Sequence, residues 1–466
     1  MDQRAPIHRR DGITPAEKYL KRLCDHTFLS LWSYSGVCRD QGGGKTGYGK
    51  EVCDLLVVFE EHIIIFSDKD CEFPNTGNLE VDWSRWFRRA VLKSAKQIWG
   101  AERWIRSHPD RLFLDRACSQ PFPINVPDPS SARFHRLVVA HGVSERCRAE
   151  LGGSGSLMIV PDIVGDAHCA SFEEGGCPFA IGQLAPDKGY VHVLDDTSLE
   201  VVLRTLDTIT DFVSYLSKKE RFVCGGKLVH GAGEEDLLAF YLKNLNEHDE
   251  HDFVVPPDID WMAIGEGLWE DFIASPERQA QLAASQVSYS WDALIETFSK
   301  HILENTQYYA THPGVDTSER NIRFLAREPR LRRRLLARSL VDFIENTPPS
   351  YKATRVVLPS READPFYVFL LLPHLKGVPY AEYREVRMKL LEACCLVTKL
   401  LYPHAQDIVG IATETGLTEY RSEDAVSYDA RGWGPEEQAE AQSLQEDLGL
   451  LTRTTMFKST EKEYPV

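Results

Sequence analysis

The stretch Gly49–Asp70, GKEVCDLLVVFEEHIIIFSDKD, decides the fold of the amino-terminal part of the chain. Leu55–Phe59 and Ile63–Phe66 are two apolar runs rich in β-branched residues, separated by three polar residues. Since no polar residue alternates within either run, the pattern predicts a β-hairpin buried on both faces. In an antiparallel hairpin the start of the first strand lies beside the end of the second. We therefore expect Asp54 and the segment Ser67–Lys69 to meet at one edge of the sheet.

Helices and further strands flank this hairpin. Thr14 has the pattern of a helix cap with Glu17 three residues later, and apolar residues at helical spacing continue over residues 15–33. A second amphipathic helix is predicted over Asp82–Ser107, and Phe134–Ala140 has the composition of a strand. The order helix, hairpin, helix, strand predicts an α/β layer.

The chain is long enough for two or three domains. Thr197–Lys219 is predicted as one helix, and the acidic, then proline-containing segment Asn244–Pro257 has the composition of a linker. We therefore predict a first domain over residues 1–250. The second, over 258–466, is predicted to be mostly helical with a few strands.

Composition excludes several classes of protein. Hydrophobic residues make up 43% of the chain and charged residues 26%, which are ordinary values for globular domains. No apolar run approaches the length of a membrane span, and the start of the chain lacks the apolar core of a signal peptide. Eleven scattered cysteines without a Cys-x-x-Cys pair favour a reducing, cytoplasmic compartment. The net charge of −17 argues against a nucleic-acid-binding surface over the whole molecule, although residues 1–116 carry about as many basic as acidic groups.

The order of these elements resembles the core of the PD-(D/E)XK nuclease superfamily. A helix bears the acid Glu17, Asp54 opens a strand, and the second hairpin strand ends in Ser67-Asp68-Lys69. The helix that follows carries Lys96 and Gln97. The similarity spans roughly residues 14–140 and is closest to the restriction-endonuclease-like and nuclease-related-domain branches. It implies a restriction-endonuclease-like α-β-β-α-β core of α/β (α+β) class.

The resemblance also implies roles for individual residues. Asp54 would be the first catalytic acid and a metal ligand, and Lys69 would orient the attacking water and neutralise the scissile phosphate. Ser67 stands where the family has Glu, Asp or Gln. It therefore belongs to the candidate catalytic set, but its hydroxyl is a weak ligand for magnesium.

A second carboxylate is therefore expected from elsewhere in the chain, and Glu51, Asp68 (through a β-bulge) and Glu17 are the candidates. Plainer interpretations remain open for the same residues. Asp54 can be a strand-edge cap, Lys69 a solvated residue, and Glu17 part of a capping box.

Two basic segments are candidates for binding a polyanion. In the first, the resemblance and the helix pattern point to Arg88, Arg89, Lys93, Lys96 and Gln97, for which a solvated helix face is favoured over phosphate binding. The second is the arginine-rich segment 330–338 in the carboxyl-terminal domain, for which an ordinary charged helix face is favoured over a binding surface.

By analogy, the chain is predicted to be a Mg²⁺- or Mn²⁺-dependent endonuclease, a hydrolase of phosphodiester bonds that acts on DNA in preference to RNA. Restriction or antiviral defence is the role that the resemblance implies. In the alternative, the nuclease-like core is degenerate at Ser67 and serves as a scaffold. It then binds nucleic acid without cutting it, and the second domain forms a homodimer or recruits a protein partner.

Overall fold

The computed structural model describes residues 5–41, 48–308, 315–361, 364–415, 421–452, 455–456 and 460–465. The chain falls into two compact units, Met1–Gln279 with Lys300–Thr306, and Ala280–Ser299 with Gln307–Val466. Both contain helices and mixed sheets, so the α+β class predicted from the sequence is confirmed. Residues 244–257, predicted as a linker, lie within the first unit. Most of the glycine-rich loop before the hairpin, residues 42–47, lies outside the described residues.

The first unit contains eleven strands among its described residues. They are β1 (Ser33–Ser35), β2 (Cys38–Arg39), β3 (Lys50–Glu51), β4 (Leu55–Phe59), β5 (His62–Asp70), β6 (Arg133–His141), β7 (Met158–Val164), β8 (Ala180–Gln183), β9 (His192–Leu194), β10 (Leu228–Gly231) and β11 (Met262–Ile264). The α-helices over the same part of the chain are α1 (Pro15–Phe28), α2 (Leu79–Phe87), α3 (Lys93–Ser107), α4 (Ser144–Leu151), α5 (Ser198–Thr205), α6 (Ile209–Cys224), α7 (Glu234–Lys243) and α8 (Leu268–Ala274).

The central sheet has the strand order β1-β4-β5-β6-β9. Strands β4 and β5 form the predicted antiparallel hairpin, with Leu55 opposite Phe66 and Phe59 opposite His62, and β4 is buried along its whole length. Strand β1 pairs antiparallel with β4, whereas β5, β6 and β9 run parallel. The sheet is therefore mixed, and the carboxyl ends of β5, β6 and β9 lie at the same edge as the start of β4.

Helices cover both faces of this sheet. The ring of Phe66 on β5 packs against Phe28 of α1, with centroids 6.1 Å apart, so α1 covers the face of the even-numbered β5 residues. On β6, Arg136 lies opposite Ile65 and its Nε is 2.6 Å from Oε2 of Glu102 on α3. Helix α3 therefore covers the face of the odd-numbered β5 residues.

The helix predicted over 82–107 is interrupted by a π-helical turn. Helices α2 and α3 are joined by this turn at Arg88–Leu92. The turn inserts an extra residue, which keeps Trp83 and Trp86 before it and Ala95 and Ile98 after it all buried. Its place along the sheet is fixed by Trp86, whose indole N–H donates to the carbonyls at the ends of β5 and β6, those of Cys71 and His141. The turn therefore lies at the carboxyl edge of the sheet.

A second sheet of the first unit has the order β11-β10-β7-β8. The prediction of one helix over Thr197–Lys219 is wrong, since α5 ends at Thr205 and α6 begins at Ile209. Thr208 caps α6, its hydroxyl accepting from the Asp211 amide at 3.2 Å. A threonine cap needs extended backbone, and Thr208 has φ −132° and ψ 151°, so the helix cannot run through it.

The remaining helices and strands form a second α/β layer. They are α9 (Pro276–Ser285), α10 (Tyr289–Glu304), α11 (Val315–Arg327), α12 (Arg330–Asn346), β12 (Ala353–Val357), β13 (Phe366–Leu372), α13 (Tyr380–Leu401), β14 (Asp407–Glu414), β15 (Glu423–Asp429) and α14 (Pro435–Leu448). The sheet order is β12-β13-β14-β15, and α13 connects the parallel pair β13 and β14. Buried residues of β13, β14 and α13 form one apolar core.

The arginine-rich segment of α12 is not a solvated face. Arg332, Arg333 and Arg334 are buried. Arg333 donates to Asp292 at 2.7 Å and to backbone carbonyls, and Arg334 pairs with Glu461 at 3.1 Å. These guanidinium groups hold the second unit together internally, so the segment offers no cationic surface for a polyanion.

Among the described residues, no helix is both long and apolar enough to cross a membrane.

Candidate functional site at the carboxyl edge of the central sheet

The hairpin register brings the predicted catalytic residues to one place. Continuing the pairing of Leu55 with Phe66 sets Asp54 opposite Ser67. Directly opposed residues project to the same face of a sheet, and so do residues two apart on one strand. Asp54, Ser67 and Lys69 therefore share the face that α3 covers, at the carboxyl edge of the sheet.

The Asp54 carboxylate is anchored to the neighbouring strand. Its Oδ2 accepts from the backbone amide of Asp68 at 2.7 Å. Burial raises the pKa of Asp54 to about 6, and the negative charges of Glu51 and Asp68 add to the increase, while the Asp68 amide opposes it. No described Lys, Arg or His forms an ion pair with Asp54. It is thus a partly buried acid in a region with a surplus of negative charge.

Ser67 and Lys69 differ in what they can offer to a ligand. Ser67 is fully buried. Its hydroxyl lies close enough to Asp54 to lower the pKa of that carboxyl, although the two do not form a well-directed hydrogen bond. Lys69 is half-buried and its ammonium forms no ion pair with any residue in the described part of the chain. Lys69 and Asp54 therefore lie on the same face, and neither has a partner of opposite charge among the described residues.

The two other candidate acids are Glu17 on α1 and Glu51 on β3. Glu17 forms the predicted capping box of α1, and its Oε2 accepts from the Ile13 amide at 2.6 Å. Glu51 lies on β3; burial raises its pKa, and the nearby charge of Glu17 raises it further. Arg116 is 4.0 Å from Glu51. The charge of Glu17 thus acts on Glu51, but the Glu17 carboxylate is already engaged as a hydrogen-bond acceptor in the cap of α1.

Asp68 is turned to the opposite face of β5, toward His141. The Nε2 atom of His141 lies 3.0 Å from Oδ1 of Asp68, although the N–H does not point directly at that oxygen. The other nitrogen of His141, Nδ1, lies 2.9 Å from Oδ1 of Asp196. Burial lowers the pKa of His141, but the two carboxylates outweigh it and raise the pKa to about 10. The Asp68 carboxylate is thus engaged by an imidazolium and is turned away from Lys69.

Sequence reasoning did not identify His141 or Asp196. His141 ends β6 and Asp196 follows β9. Both strands run parallel to β5, and β6 is its direct neighbour in the sheet. Asp196 also accepts from the amides of Gly142 and Val143, at 2.8 and 3.3 Å, just before α4. The sequence signal for His141 was its place directly after the predicted strand Phe134–Ala140, whereas Asp196 lies two residues after the end of β9, and the order of strands in the sheet was needed to bring them together.

The described residues do not form a protein-built metal cage. No group of three or more His, Cys, Asp or Glu side chains within them is arranged to hold a metal ion. Magnesium, however, commonly keeps several waters and binds one or two carboxylates together with the phosphates of a substrate. The surplus of negative charge around Asp54 fits an ion of that kind, with the partly buried Asp54 as its protein ligand and Glu51 as a further acid whose charge acts on Asp54.

The predicted nucleic-acid-binding residues lie on exposed helix surface. Arg88, Arg89, Lys93, Lys96 and Gln97 are exposed on the π-helical turn and α3, and Arg85 on α2 is exposed beside them. We call the five basic residues of this set the cationic stripe. None of the five forms an ion pair with a described residue. The stripe begins at the carboxyl edge of the sheet, and its helices cover the face on which Lys69 lies.

Comparison of the chain with models of protein families, with curated proteins and with solved structures finds no match.

Proposed function

We propose that the first unit is a phosphodiesterase that cleaves nucleic acid, DNA rather than RNA, with Mg²⁺ or Mn²⁺. One observation carries the proposal: Asp54 and Lys69 share one face at the carboxyl edge of the central sheet, and neither has a partner of opposite charge among the described residues. Open α/β sheets bind ligands at the carboxyl ends of their parallel strands. A phosphate with a divalent cation supplies the charges that this pair lacks.

The side chains suit hydrolysis of a phosphodiester bond. The Lys69 ammonium can neutralise a non-bridging phosphate oxygen and orient a water. Asp54 provides a carboxylate whose raised pKa falls when a cation approaches. A bound divalent ion supplies Lewis-acid stabilisation of the charge that develops on the phosphate. The cationic stripe, which forms no ion pair with the described residues of a chain of net charge −17, supports a polyanionic substrate that extends from the site.

A second candidate is a catalytically degenerate, nuclease-like scaffold that binds nucleic acid or a protein partner. It is favoured by Ser67, which is fully buried where the resembling family carries an acid or amide. It is also favoured by the lack of a three-residue metal cluster in the described ranges. In that case the cationic stripe binds nucleic acid and the phosphodiester bond stays intact.

Cleavage of plasmid DNA by the full 466-residue chain, with Mg²⁺ or Mn²⁺, separates the two candidates. We expect Asp54→Asn, which keeps the acceptor for the Asp68 amide, and Lys69→Met to reduce the rate at least about 100-fold. Asp70→Asn and Lys50→Met change exposed residues of the same charges and are expected to cleave like the wild type. Absence of metal-dependent cleavage by the wild type would overturn the phosphodiesterase proposal, as would full activity in Asp54→Asn.

A further inference from the structure

His141 joins the ends of three parallel strands. It is the last residue of β6, and its two ring nitrogens face carboxylates from the neighbouring strand ends. Nε2 lies 3.0 Å from Asp68 on β5, and Nδ1 lies 2.9 Å from Asp196, which follows β9. The side chains of Asp68, His141 and Asp196 are 2%, 18% and 34% exposed, so the contact to Asp68 is the better shielded.

The Asp68 carboxylate depends on His141 alone among the described residues. Neither of its oxygens accepts a well-directed hydrogen bond, and the imidazole is the one described cation within ion-pair distance. A carboxylate that is 2% exposed loses its hydration and must be compensated by a partner. The orientation of the Asp68 side chain is therefore set by His141.

The backbone of Asp68 reaches the proposed site. Its amide donates to Oδ2 of Asp54 at 2.7 Å, whereas its side chain points to the other face of the sheet. One residue thus connects an imidazole–carboxylate contact on one face to the candidate catalytic acid on the other.

We propose that His141 is a positioning residue of this site, which acts through Asp68 to hold the backbone amide that orients the Asp54 carboxylate. The catalytic part of this inference rests on the proposed phosphodiesterase function, whereas the positioning of the amide does not. A ligand-orienting group in a second layer of this kind typically changes activity about 10- to 100-fold when it is removed.

Two amide substitutions separate this role from a purely structural one. Asparagine places its polar group near the position of Nδ1, so His141→Asn keeps a contact with Asp196 and loses the one with Asp68. Glutamine reaches the position of Nε2, so His141→Gln keeps a donor for Asp68 and loses the contact with Asp196. If His141 only links the strands through Asp196, His141→Asn should have the smaller effect on the Asp68 amide. If it positions the amide through Asp68, His141→Gln should have the smaller effect.

The test is hydrogen exchange of the Asp68 amide in the full-length wild type and both variants, with circular dichroism to verify the fold. We expect exchange at least about tenfold faster in His141→Asn and close to the wild-type rate in His141→Gln. Exchange unchanged in His141→Asn, or faster only in His141→Gln, would refute the positioning role.

Plasmid cleavage by the same proteins gives a separate reading. We expect kcat to fall about 10- to 100-fold in His141→Asn with KM little changed, and to be largely retained in His141→Gln. If the wild type cleaves no DNA, the proposed function fails, yet the exchange result still decides the role of His141. If exchange follows our expectation but kcat is equal in all three proteins, the link from Asp68 to catalysis is refuted.

Discussion

The Asp54 carboxyl is less stable as an anion in the folded protein than in water. Burial raises its pKa from 3.8 to about 6, so the folded state holds the proton more tightly than the unfolded chain does. This contribution to stability is complete below about pH 4 and is lost as the pH rises through 6. Ionised Asp54 therefore destabilises the fold at neutral pH, which is consistent with the proposed role of this carboxylate.

Replacing Asp54 with asparagine should remove this penalty. We expect the stability of Asp54→Asn relative to the wild type to increase by about 2–3 kcal/mol between pH 4 and pH 8, since the pKa shift is about two units. Urea unfolding followed by circular dichroism at several pH values measures the difference. Asp70→Asn, at an exposed carboxylate of the same strand, serves as control. A constant difference between Asp54→Asn and the wild type across this range would contradict the expectation.

A second residue-scale prediction concerns the buried His135 and its partly buried neighbour His62, at the amino-terminal ends of β6 and β5. Nδ1 of His62 lies 2.9 Å from Nε2 of His135, and burial together with the neighbouring His62 lowers the pKa of His135 to about 3. Stability is therefore complete above the unfolded pKa of about 6.5 and is lost as the pH falls toward 3. Between pH 7 and 5 we expect His135 to account for a loss of about 2 kcal/mol.

The substitution His135→Phe tests this expectation, because phenylalanine keeps the ring volume and cannot bind a proton. Urea unfolding of His135→Phe should show a pH dependence between 7 and 5 that is weaker than that of the wild type by about 2 kcal/mol. His248→Asn, at a histidine whose side chain is 72% exposed, should leave the slope unchanged. An identical slope in His135→Phe and the wild type would show that His135 does not carry the acid sensitivity.

At this scale the sequence predicts contacts along the hairpin and misses contacts across the sheet. Asp54 and Lys69 are 15 positions apart in a ribbon whose apolar runs set the register, so alternation alone puts them on one face. His141 and Asp196 reach Asp68 through parallel pairing, and the sequence does not specify which strands become neighbours. The prediction for Asp68 as a metal ligand lacked this partner for the same reason.

At the scale of elements, the break between α5 and α6 depends on one cap. The Thr208 hydroxyl accepts from the Asp211 amide at 3.2 Å and donates to its carboxylate at 2.6 Å, and the residue is buried. We expect Thr208→Ala to lower the free energy of unfolding by about 1–2 kcal/mol, because the first turn of α6 loses its acceptor. Thr208→Ser keeps the hydroxyl and should cost less than half of that. Equal losses in both variants would mean that the methyl group, not the cap, matters.

The apolar periodicity of the segment Thr197–Lys219 explains why the sequence predicts one helix there. Apolar residues continue at helical spacing through both α5 and α6, so periodicity alone does not reveal the break. Strand β1 was missed because it has three residues, too few for an alternating pattern, and the π-helical turn because its insertion leaves the apolar spacing nearly unchanged. The long elements, in contrast, have enough periods for their type to be predicted.

At the scale of the whole molecule, the distribution of charge matters more than its sum. The net charge of −17 disfavours a polyanion overall, yet the cationic stripe has no acidic partner among the described residues. The arginine-rich segment of α12 resembles the stripe in composition, but its arginines form ion pairs inside the second unit. Burial and pairing, which composition does not show, decide which of two basic segments is free to bind.

Salt dependence of DNA binding tests the stripe. Each cation that neutralises a duplex phosphate adds about 0.9 to the slope of log K against log salt concentration. We expect the triple variant Arg88→Gln, Arg89→Gln, Lys93→Gln to lower the slope by about 2–3, measured by fluorescence anisotropy with a labelled duplex. The matched control, Lys18→Gln, Arg22→Gln, Arg204→Gln, removes three cations of α1 and α5, whose helical layer covers the opposite face of the sheet. Both variants change the net charge equally, so a general electrostatic effect would lower both slopes alike. An unchanged slope in the stripe variant, or an equal decrease in the control, would show that duplex DNA does not follow this surface.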